Sequence, residues 1–297
     1  MTGVAILLAA VAATCNAAGD LLQRRSARSE TSDLRGSLSL VGRLLRQKAW
    51  LAGVVVSLAG LCIHVTALSL GELATVQPVL VAELPLAVLG SAFFFGRRLA
   101  RRDWVAVAAL AVGLVLFVVF LQPTGGAPLQ VSGPQWALGL GVVGVLMIVL
   151  VTAGWRAEND LRGGLLSAAA GVGYGLTGVL FSVAGKALGA DGLAGALTTW
   201  QTYAAVAAGS ISFYLLQNAL VAGKLVAVEP GLTLANPIVA VTWGLVVFGE
   251  QARGGGAVVG SAIGGVLLAS GVVLLARSPV LENHHRDPRD EPSPVGP

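Results

Sequence analysis

The chain has 297 residues, 55% of them hydrophobic and 11% charged, with a formal net charge of +4. Soluble domains carry about 25% charged residues, whereas here apolar residues run together for about 20 positions at a time, the length that crosses a bilayer. A soluble helical bundle is excluded, since its helices need polar faces. The basic excess reads as cytoplasmic loops rather than as a nucleic-acid surface.

In chain order, nine spans are expected, roughly 3–22, 49–70, 74–96, 104–121, 134–153, 164–186, 196–216, 225–247 and 257–276. The first has its positive charge after it, at Arg24 and Arg25, so it reads as a retained helix and not as a cleaved signal. Between the first and second spans, loop 23–48 holds seven basic residues, and LRGSLSLVGRLLRQK (34–48) reads either as an interfacial amphipathic helix or as a simple basic loop. Placing this loop and loop 97–103 (Arg97, Arg98, Arg101, Arg102) inside puts 17 Lys and Arg in the cytoplasm and leaves 2 outside, Lys186 and Arg253. The N-terminus is then outside and the C-terminus cytoplasmic, in a multi-pass protein of the cytoplasmic membrane. Trp50, Trp104, Trp136, Trp155 and Trp200 fall near span ends, where amphipathic rings belong, and Trp243 lies deep in the eighth span. Cys15 and Cys62, in apolar runs without a CxxC or His partner, read as buried structural cysteines. Gly256, Gly260 and Gly264 on the ninth span, and Gly171 and Gly175 on the sixth, have the spacing of close helix contacts. The tail from Ser278 reads as disordered, and His284 and His285 in it make too weak a set for a metal.

Two stretches repeat. ALSLGELATVQP (67–78) returns as ALVAGKLVAVEP (219–230), and at the same offset of 152 Pro85 meets Pro237 and Gly113 meets Gly265. The second to fourth spans thus correspond to the seventh to ninth, and the first more loosely to the sixth. An offset of five spans is odd, so the two copies cross the membrane in opposite senses. The exchange of Glu72 for Lys224 then follows the positive-inside rule. The expected fold is an all-α polytopic membrane protein, with about nine transmembrane helices in two inverted four-helix repeats joined by a linker helix. The first repeat occupies 1–121, the outer loop and linker helix 122–153, the second repeat 154–277, and a cytoplasmic tail 278–297.

The pattern AL-x-x-G-x-L-x-x-V-x-P, followed by a proline-containing helix ending in Phe248-Gly249-Glu250 and by a glycine-rich span, resembles the drug/metabolite transporter superfamily of EamA type. Usual members have one more helix per half and no linker. LLQRR (21–25), GKAL (185–188) and LQNAL (216–220) are similar to the NIPA-type branch, implicated in magnesium transport. The chain departs from that branch where Gly60 is followed by Leu61 and where Arg97 and Arg98 replace a glutamate. The resemblance implies a secondary transporter with its site at the repeat interface.

Glu83, near the middle of the third span, reads either as a proton-coupling carboxylate or cation ligand, or as a neutral acid hydrogen-bonded within the bundle. Pro85 and Pro237 each remove a mid-helix donor, which either exposes carbonyls to a cavity or simply kinks the helix. Asn236, Asp20, His64, Tyr174 and Trp243 are further candidates for substrate or coupling contacts, each with an interhelical or packing role as its alternative. Asn16 reads as an interhelical bond. Gln217, Asn218 and Glu229 are candidates for an inner gate. Glu72 and Glu250 read as surface loop charges. No catalytic constellation, cofactor site or metal set is expected. The expected partners are a small-molecule or cationic substrate and membrane lipid, not nucleic acid, with a homodimer allowed for. A small metabolite or cationic compound is the expected cargo. A magnesium-type pathway and a non-transporting scaffold are the alternatives.

Overall fold

The computed structural model describes residues 2–28, 47–95 and 99–277. The segment 34–46, Arg97 and Arg98, and the tail with His284 and His285 lie outside the described residues. Among the described residues ten α-helices follow one another: α1 (Thr2–Arg28), α2 (Lys48–Leu70), α3 (Leu73–Leu80), α4 (Glu83–Phe95), α5 (Arg101–Leu121), α6 (Gly133–Arg156), α7 (Asn159–Thr198), α8 (Trp200–Ala222), α9 (Leu225–Val246) and α10 (Gly256–Ala276). Among the described residues there is no strand, only an isolated bridge between Thr124 and Gln251. Among the described residues eight helical stretches are long and apolar enough to cross a membrane, α3 and α4 together counting as one. The protein is an all-α polytopic membrane protein. α9, of 22 residues with Glu229, Pro230, Asn236 and Pro237 in it, is not among the eight.

Helices cover the expected stretches, with shifted ends. α8 runs on to Ala222, six residues past the expected end, and α7 continues to Thr198 across a break at Asp191 and Gly192. Gly192, with φ 65° and ψ −157°, takes a conformation that no β-carbon favours. α8 begins and ends 152 residues after α2, and α9 begins 152 residues after α3.

α7 is the central helix, with 67% of its apolar stretch buried, against 11% for α6, which lies at the periphery. Helices pair as α1 with α2, α7 with α8, and α5 with α10, while α9 packs on both α7 and α3. In lipid there is little hydrophobic gain in moving a side chain from tail to bundle, so close van der Waals contact must hold these pairs. Glycine provides it. A β-carbon at Gly264 would stand 2.5 Å from the Phe117 nitrogen, and one at Gly171 2.7 Å from the Leu232 carbonyl oxygen. The α10 contact face is Gly260, Gly264 and Gly271; Gly256, expected in it, has open space around it at the helix start. Cys15 is half-buried and Cys62 exposed, so Cys62 is not the buried cysteine expected. Leu110, Val272 and Leu275 fill the α5–α10 seam. At its end, Arg102 Nη2 donates to the Arg277 carbonyl at 2.6 Å, satisfying an orphan acceptor beyond α10.

Candidate functional site

The third span is broken where its polar residue sits. Pro85 has no N–H to give Val81, and Leu84 N takes that carbonyl instead at 3.2 Å. Val81 and Ala82 likewise bond three residues back, to Pro78 and Val79, both at 3.1 Å. The α-helix stops at Leu80 and resumes at Glu83, which places Glu83 at the start of α4. A carboxylate there faces the positive end of a half-helix. α9 holds both its prolines, Pro230 and Pro237, without such an interruption. The break near Pro85 therefore has no counterpart at Pro237.

Asn16 of α1 donates its Nδ2 to Glu83 Oε2 at 3.1 Å. It fits between α1 and α2 because Gly60 has no β-carbon, which would overlap Asn16 Oδ1. Seven residues along the same face, Gln23 Nε2 donates to Ser57 Oγ at 3.1 Å, with Gly19 and Gly53 leaving the room. Asp20, half-buried, lies on that face between them. The result is a polar seam down α1 and α2 that ends at Glu83.

A second polar group sits on α3. Gln77 is 2% exposed, and its Nε2 lies 3.4 Å from His64 Nε2. Gly178 of α7 makes the space, since a β-carbon there would overlap the Gln77 carboxamide. Gln77 was not a sequence candidate. Its signal was present in the repeat, where position 77 returns as Glu229.

α3 and α9 also carry three buried polar atoms without a hydrogen-bond partner: Thr75 Oγ1, Asn236 Oδ1 and Trp243 Nε1. Native interiors leave few such groups unpaired without water or ligand. Asn236 and Trp243 lie two turns apart on one face of α9. The Trp243 ring packs against Gly139 and against Trp136, with centroids 5.5 Å apart. Its ring face is thus covered, and the indole N–H is what it has to offer. Tyr174 is half-buried on α7. Of the gate candidates, Gln217 is exposed, Asn218 donates to Tyr214 O on its own helix at 2.8 Å, and Glu229 is 3.5 Å from the Thr233 hydroxyl. These contacts lie within each residue's own helix.

Glu250 is not a surface charge. It is 4% exposed and accepts hydrogen bonds from Leu73 N at 2.7 Å and Ala74 N at 3.0 Å, capping α3 from the far half of the chain. Burial pushes its carboxyl up to about 7, against the two N–H bonds, which pull it down; nearby Glu72 raises it and Lys186 lowers it. At the start of α9 the corresponding role falls to Asp160, whose Oδ1 accepts from Lys224 N at 2.9 Å. Glu72 is half-buried. Among the described residues no group of three or more His, Cys, Asp and Glu could hold a metal ion.

No family model and no solved structure matches the chain. It is 29% identical over 255 residues to an uncharacterized protein of Corynebacterium glutamicum, an alignment that covers 84% of this chain and 86% of that protein.

Proposed function

We propose that the protein is a secondary transporter that carries a small metabolite or cationic compound across the cytoplasmic membrane by alternating access. The observation that carries this reading is the interrupted third span with Glu83 at the break and Asn16 bonded to it. Half-helix ends and freed backbone at mid-membrane are tolerated where they line a cavity, and an acid there is costly unless it serves one. The unpaired Thr75, Asn236 and Trp243 atoms add hydrogen-bonding capacity on the facing helices.

The architecture we propose is the inverted repeat: α1–α5 against α7–α10, with α6 as linker and α9 as the ninth crossing. The shared offset of 152 in helix bounds supports it. The N-terminus is then outside and the C-terminus in the cytoplasm. The family reading, an EamA-type drug/metabolite transporter, rests on the sequence resemblance. A divalent-cation pathway has less support, because Mg²⁺ takes oxygen ligands from carboxylates and no acidic cluster offers them among the described residues.

The test is uptake into proteoliposomes under an imposed pH gradient, with a panel of amines, amino acids and Mg²⁺. The expected result is pH-driven flux of an organic compound that Glu83→Gln reduces at least tenfold, with the variant still folded. Flux unchanged by Glu83→Gln would remove Glu83 from the mechanism. Flux of Mg²⁺ alone would establish the cation pathway instead.

A further inference from the structure

We infer that Glu250 is a proton-binding site whose occupancy holds one end of the molecule shut. This deepens the transporter reading and depends on it only for what the closing achieves. The end in question is where the link before α3, the 122–131 loop and the 247–255 loop meet.

The loops are joined by backbone. Thr124 N donates to Gln251 O at 3.1 Å and Gln251 N to Thr124 O at 2.8 Å, Ala127 N donates to Phe248 O at 2.9 Å, and Arg253 N donates to Leu121 O at 3.2 Å. Gly249, at φ 71°, reverses the chain after α9, and Glu250 N returns to Gly244 O at 2.9 Å. The side chain of Glu250 then crosses to α3, 177 residues away in sequence. Two glycines make its berth: a β-carbon at Gly126 or Gly244 would come within 2.6 Å of it. Glu250 thus ties the second half's loop to the first half's broken helix by two hydrogen bonds.

The charges around it are few. Glu72 comes from the link before α3, and its Oε2 would lie 2.7 Å from a Gly126 β-carbon, so both carboxylates border the same glycine. Lys186 on α7 is the cation. The 122–131 loop and α10 carry no charged residue, α9 carries only Glu229, distant in its first turns, and Arg253 is exposed. When this end is open, Glu250 is in water and is an ordinary carboxylate. When it is closed, the same group is out of water beside a second carboxylate. A proton taken from the solution on that side removes the cost of burying the second negative charge. The sign follows. The closed form binds the proton more tightly, so closure strengthens as pH falls from about 7 toward the ordinary value of 4.5, and weakens as pH rises through that window.

Amide hydrogen exchange of the purified full-length protein in lipid nanodiscs tests this without any cargo. Protection at Leu73 and Ala74 is measured from pH 4.5 to 8 and corrected for the chemical exchange rate at each pH. Wild type is expected to lose protection on the order of a hundredfold as pH rises to 7, and to level off beyond. Glu250→Gln, neutral at every pH, is expected to stay flat. Glu72→Gln should move the levelling point to lower pH and Lys186→Gln to higher pH. Both leave Glu250 in place, so they decide the matter even if Glu250→Gln does not fold. Protection that is flat or rises with pH in wild type, or levelling points that fail to move in opposite directions, would overturn the inference. Absent transport with this pattern intact would overturn only the transporter reading.

Discussion

Gln77 shows how one missing atom sets a polar contact inside the membrane. Its carboxamide reaches His64 because Gly178 lacks a β-carbon. Gly178→Ala is expected to displace it and to cost about 1–3 kcal/mol, the usual penalty of overpacking. Thermal unfolding of the purified protein measures this, and the cost should largely vanish in a Gln77→Ala background, as coupled neighbours require. At this scale the sequence was legible only in part. Glu83 stands out because an acid in an apolar run is expensive wherever it points. Its partner Asn16 does not stand out as a partner, since nothing in the chain links positions 16 and 83 before the helices pack. Glu250 misled for the same reason. Four residues past the end of α9 it looks like a loop charge, and only the return of the chain at Gly249 buries it.

The elements were easier to read than their interruptions. Length and hydropathy place the helix starts within about five residues, because the bilayer fixes both, while α1, α7 and α8 run 6 to 12 residues past their expected ends. Proline alone does not say whether a helix breaks: α3 and α4 separate near Pro85, while α9 continues through Pro230 and Pro237. The difference lies in tertiary context, which a sequence pattern lacks. Pro85→Ala restores a donor for Val81. It should join α3 to α4, raise thermal stability by on the order of 1 kcal/mol, and lower transport severalfold by removing the interruption beside Glu83. Paired melting and flux measurements check this. A variant both more stable and as active as wild type would mean that the break is a packing feature.

For the molecule as a whole, the repeat predicts opposite placement of two equivalent links. In a background with Cys15 and Cys62 replaced by Ser, a cysteine at Glu72 should react with an impermeant maleimide added outside intact cells. A cysteine at Lys224 should react only after the membrane is opened. Equal labelling of both would dismiss the inverted arrangement. The pattern of lysine and arginine carried this prediction, whereas the packing of α7 at the centre and α6 at the rim became visible only in three dimensions. The α3 cap, finally, has a bearing on how the protein is made. Leu73 and Ala74 leave the ribosome long before Glu250 exists. At about 5–20 residues per second, the 177 residues between them take on the order of 10–35 s. For that time the first half sits in the membrane with its short helix uncapped, and only the nearly finished chain can complete it.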